Sequence, residues 1–171
     1  MTVSEGFEAL TSPRRSLHGL SVSIHNASEA ESLFGKIDGA LALIDRLDPR
    51  RYQRLRHDLR RISVVPAKGN WAAYSPFTKA CYLKEAVAVG YDAPVIALVL
   101  VHEAVHARLA RAGLSNWPDR RQRTEALCYR QEMAFARLLE RAGAKGVEPW
   151  LRYLDAEARD CAPAPAAVVR S

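Results

Sequence analysis

The stretch from Ala93 to Ala112 is the most apolar part of this chain, and His102, Glu103 and His106 interrupt it as His-Glu-Ala-Val-His. Length and composition predict a buried helix there, and a helix apolar on most sides has to be wrapped by the rest of the fold. One turn brings residues four apart onto the same face, so both imidazoles can share one metal ion while Glu103 points at its open side. Burying three such polar groups without a metal or hydrogen-bonding partners would cost on the order of several kcal/mol. The spacing therefore reads as a metal site of the kind that activates water.

The 171 residues, 49% of them hydrophobic, suffice for one domain with a sizeable core and are too few for two. We expect a single domain over 1–160 and a disordered tail over 161–171, where Ala and Pro leave little to bury. With Glu5, Glu8, Arg14, Arg15 and His18 and no continuous apolar stretch, the first twenty residues are not expected to be a secretory signal. The longest apolar run, Ala93 to Val101, is far shorter than the ~20 residues that cross a bilayer. No membrane span and a cytoplasmic location are expected. Cys81, Cys128 and Cys161 are odd in number and widely spaced, which points to free thiols rather than a disulfide framework. The net charge of +6 is carried largely by arginines in helical segments such as Arg50 to Arg61 and Arg108 to Arg123. No aromatic interleaving accompanies them, so they read as solvated helix faces and not as a nucleic-acid surface.

Along the chain, alternation of Leu20, Val22 and Ile24 with serines predicts a strand over 17–25 that Asn26 ends. Ser28 with Glu31 forms a capping-box pattern for a helix over 29–46, and Asp48-Pro49 starts another whose inward stripe is Tyr52, Leu55, Leu59 and Ile62. Ile62 to Val65, Trp71 to Tyr74 and Lys79 to Leu83 supply two or three short strands, with a turn at Gly69-Asn70 and a break at Ser75-Pro76. Asp92 and Pro94 open the motif helix, and Gly113 closes it in a left-handed turn. After a break at Trp117-Pro118-Asp119, a long helix runs to about Ala142, and a short one begins at Pro149. The fold class expected is α+β.

A catalytic zinc ion takes three protein ligands and leaves a fourth position for water. Glu125, 19 positions after His106, opens the following helix, and a reversal over Gly113 to Asp119 can bring its carboxylate back to the two histidines. With His102, Glu103, His106 and Glu125 the chain resembles the gluzincin class of zincin metallopeptidases, which add a downstream helix glutamate to HExxH. It is also similar to small uncharacterised bacterial proteins in which an HExxH helix precedes a Glu/Cys/Gln-Glu helix. The resemblance spans about residues 62 to 141. It implies a zincin-like fold, a small and mostly antiparallel sheet packed on the active-site helix, with the strand segment from Trp71 to Leu83 bordering the substrate cleft. The best-known gluzincins carry an acidic residue four positions beyond the ligand glutamate, whereas this chain has Tyr129. Glu132, seven positions after Glu125, is then either a partner of a zinc-binding histidine or itself the third ligand.

On this reading the chain is a zinc-dependent metallopeptidase acting on a peptide or protein substrate, its oligomeric state open. Zn2+ is held by His102, His106 and Glu125, and Glu103 is the general base toward a metal-bound water. Tyr129, Tyr74, Tyr82 and His25 are candidates for stabilising the oxyanion, with Tyr129 placed in the catalytic set. His18 and His57 lie outside the motif, and His57, between Arg56 and Asp58, reads as a surface residue. The competing reading is a catalytically silent zinc-containing module that contacts nucleic acid or an acidic protein through its basic helices.

Overall fold

The computed structural model describes residues 12–67, 71–114 and 121–160. The expected turn at Gly69-Asn70, the break at Trp117-Pro118-Asp119 and the tail from Cys161 lie outside the described residues. The chain forms β1 (Arg14–Leu17), β2 (Leu20–Ile24), a 3-10 turn (Ala27–Glu29), α1 (Ala30–Leu47), α2 (Pro49–Asp58) and β3 (Arg61–Val65). It continues with β4 (Ala72–Ser75), β5 (Ala80–Lys84), α3 (Glu85–Gly90), α4 (Ala93–Arg111), α5 (Arg121–Arg141) and α6 (Glu148–Asp160).

The single strand expected over 17–25 is a hairpin. His18 and Gly19 both take positive φ, 51° and 80°, and the chain reverses between Leu17 and Leu20. A two-residue loop with both φ positive has the twist that antiparallel strands require. The capping box is also replaced. The Asn26 side chain accepts from the Ser28 N–H at 3.1 Å, which caps the 3-10 turn, while Glu31 pairs with Arg15 on β1. Asp48 does cap α2, accepting from the Arg51 N–H at 2.9 Å with Pro49 in the first turn.

The five strands form one sheet in the order β1-β2-β3-β5-β4. The pairings β2–β3 and β3–β5 are parallel, and only the two outer pairings are antiparallel. The sheet is thus mixed, not mostly antiparallel as expected. The reason is that α1 and α2 carry the chain over one face between β2 and β3, a crossover that returns it in the same direction. β4 then goes to the edge, and β5 comes back antiparallel to it and parallel to β3. Register sorts the two faces. Val22, Ile62 and Cys81 form one row and Ile24, Val64 and Leu83 another, all buried in the core with the helices. Between these rows Ser23 and Ser63 point to the opposite face and share a hydrogen bond at 2.9 Å.

α4 runs through the centre of this layer, buried continuously from Val95 to Val101. It approaches α1 closely at Gly39, where a Cβ would lie 3.3 Å from that of Ala93. Gly113 has φ +72°, and the Leu114 N–H returns to the Leu109 carbonyl at 2.9 Å, the left-handed closure expected there. By length and composition α4 is also the one helix among the described residues apolar enough to cross a membrane. In the fold that apolar surface is largely covered by the sheet and the neighbouring helices.

Candidate metal centre

Two helix stripes meet at the site. His102, Glu103 and His106 come from α4, and Glu125, Cys128 and Glu132 share one face of α5 by their three- and four-residue spacing. His102 Nε2 and His106 Nε2 are 3.2 Å apart. The Glu125 carboxylate completes a triangle, 3.4 Å from His102 Nε2 and 3.6 Å from His106 Nε2. Donor atoms each about 2.05 Å from one zinc ion at tetrahedral angles would be separated by about 3.3 Å, close to the distance between the two imidazole nitrogens, with the two Glu125 oxygens each facing a different histidine. The Cys128 sulfur also lies within 4.8 Å of the histidine donor atoms, in a group that could hold a metal.

Glu132 is turned away from the triangle. Its Oε2 accepts from His102 Nδ1 at 2.8 Å and its Oε1 from the Trp150 indole N–H at 2.7 Å. Both oxygens are engaged on the far side of the His102 ring, while Nε2 faces His106 and Glu125. Of the two glutamates, Glu125 thus lies beside both histidines and Glu132 contacts His102 at Nδ1. Burial lowers the affinity of His102 for its proton, but hydrogen bonds to Glu125 and Glu132 outweigh that effect and push its pKa up to about 10. The same contacts to His102 and His106 hold Glu125 well below the usual carboxylate range.

Glu103 is 6% exposed. One carboxylate oxygen is held by the Tyr74 backbone N–H of β4, whereas Oε2 is buried without a hydrogen-bond partner. Burial raises its pKa, offset by the positive charge of the two histidines. The cleft beside it, about 440 Å³, is lined by Trp71, Ala72, Tyr129, Trp150 and Tyr153 together with the metal-site residues. β4 forms its rim. The Lys84 N–H donates to the Trp71 carbonyl at 3.1 Å, so by antiparallel alternation the Ala72 and Tyr74 backbone groups face away from β5, toward the edge that no strand among the described residues pairs.

Of the four expected oxyanion candidates, only Tyr129 lines the cleft, with its ring edge-on to His102 at 5.1 Å. Burial and then the Tyr153 and Glu157 side chains raise its pKa, so the hydroxyl stays protonated at neutral pH. The Tyr82 hydroxyl instead donates to Thr78, Tyr74 contributes its backbone, and His25 follows β2, two strands away from β5. Cys128, Trp150 and Tyr153 were not foreseen as part of the site. Cys128 had one available signal, its position three residues after Glu125 on the same helix face.

The third ligand can be identified by counting protons. With Glu125 as ligand, zinc binding near pH 8 is expected to release about one proton, from His102. Burial holds the Cys128 thiol far above its ordinary range, so coordination as a thiolate would release a second. Titration in weak buffer with a pH indicator makes the measurement, and release of two protons would transfer the role to Cys128. In comparison with known proteins, the chain matches no family model, no curated protein and no solved structure.

Proposed function

We propose that this protein is a zinc-dependent peptidase with a zincin-like arrangement, in which His102, His106 and Glu125 hold the ion and Glu103 moves the proton. The observation that carries the reading is Glu103 Oε2, a buried carboxylate oxygen without a partner beside three converging metal donors and an open strand edge. A structural metal site has no need of such a base. A bound zinc ion would supply Lewis acidity, polarising a carbonyl and acidifying water.

The residues of the chain supply the rest. The Tyr74 N–H fixes one oxygen of Glu103, so the other can take a proton from the attacking water and pass it to the leaving amine. The Ala72 N–H and C=O at the free edge of β4 can pair with an extended peptide as a further strand would. The Tyr129 hydroxyl lines the cleft and hydrogen-bonds to Tyr153, and turning that proton toward the ion would make it a donor for the oxyanion. The antiparallel edge strand β4, bordering the cleft beside the metal helix, is the part of the sheet that supports a zincin-like arrangement.

The test is incubation of the zinc-loaded protein with a broad peptide library, read by mass spectrometry. Cleavage should appear, stop on chelation and return with zinc. With zinc fully bound and no peptide cleaved, the silent binding module takes its place.

A further inference from the structure

The indole of Trp150 lies between two parts of the cleft that are otherwise separate. On one side it belongs to an aromatic wall, with ring centroids 4.6 Å from Trp71 and 5.4 Å from Tyr153. On the other its N–H donates to Glu132 Oε1 at 2.7 Å, and Glu132 Oε2 holds His102 Nδ1 at 2.8 Å. Glu132 is 2% exposed, so both of its oxygens are held by protein donors away from bulk solvent. With only His102 as partner, Glu132 could rotate about its terminal torsion. The second hydrogen bond, from a different helix, fixes the plane of the carboxylate and through it the plane of the imidazole.

Resting on the metal-centre reading above, we propose that Trp150 is a positioning residue for the metal, acting through Glu132 on His102. It joins the wall that a substrate would touch to the orientation of a metal ligand. Packing alone would make the indole replaceable by another ring. Positioning requires its N–H.

The experiment is a chelator-competition measurement of zinc affinity on the whole chain, for wild type, Trp150→Phe, Glu132→Gln, the double variant and Tyr91→Leu. Trp150→Phe keeps a ring and removes the donor, and it should weaken zinc binding about tenfold, as expected for losing one hydrogen bond to a buried charged group. In the Glu132→Gln background the same change should have little further effect, because its route to the metal is already broken. Tyr91 packs on Trp71 at 4.8 Å and edge-on to Trp150 at 6.1 Å, so Tyr91→Leu thins the wall around the indole but leaves its N–H to Glu132 in place and should leave zinc affinity unchanged. Equal weakening by Tyr91→Leu, full additivity of the double variant, or wild-type affinity in Trp150→Phe would each overturn the proposal. A wild type that binds no zinc would overturn the metal centre itself, and this proposal with it.

Discussion

Glu103→Gln is expected to lower hydrolysis by a factor of ~100 or more while zinc content and fold persist. The substitution keeps the shape of the side chain, and its amide can still accept the Tyr74 N–H. What it removes is the basic oxygen at Oε2, which has no other partner to satisfy. A buried charge that is raised in pKa is also released from its desolvation, so the variant should be no less stable than wild type. The sign of the pH effect follows from the same burial. In the metal-free protein burial raises the pKa, so the Glu103 carboxyl should titrate above the ordinary glutamate range when followed by NMR, and binding of the doubly charged ion should lower it again. Retention of a genuine activity by Glu103→Gln, measured on the best library peptide with zinc quantified in the same sample, would end the peptidase reading.

His106→Ala is the second large effect. This histidine is the cleaner choice, since removing His102 would also strip Glu132 of one of its two buried partners. Zinc should fall from about one ion per chain to almost none, because two remaining donors do not hold it against a chelator. Binding only to the folded state adds about 3–4 kcal/mol of stability when zinc is 100 to 1,000 times its Kd. Thermal unfolding should therefore separate wild type from variant in excess zinc, and the gap should largely close when both are measured in chelator. A gap that stays the same in chelator would mean that His106 is a packing residue with no metal to hold.

The parts of the fold that sequence revealed are those written in local periodicity. The α4 stripe, the Asp48-Pro49 start of α2 and the Gly113 stop are each properties of a few adjacent residues. Sheet direction is not local. Nothing within β2 or β3 says whether they run the same way, and that is decided by the path of α1 and α2 between them. The site divides along the same line. His102, Glu103 and His106 are legible because one helical turn fixes their relation, and Glu125 because it lies early in the next helix, which packs against α4. The Trp150 contact joins α6 to α5 across 18 positions, and no spacing rule connects an indole to a carboxylate at that distance. Cys128 reads in sequence like the other thiols, since its relevance depends on which face of α5 turns inward.

An unpaired strand edge is a hazard in any protein, because it offers the same hydrogen-bonding template to a neighbouring copy as to a peptide ligand. β4 has only four residues, and Pro76 follows immediately and has no N–H with which to extend a ladder. With Ala72 and Tyr74 the outward-facing positions, and the Tyr74 N–H already given to Glu103, an incoming chain can register over only two or three residues. On the peptidase reading, such an edge would suffice to align one extended segment while offering a neighbouring copy too few positions for a growing sheet.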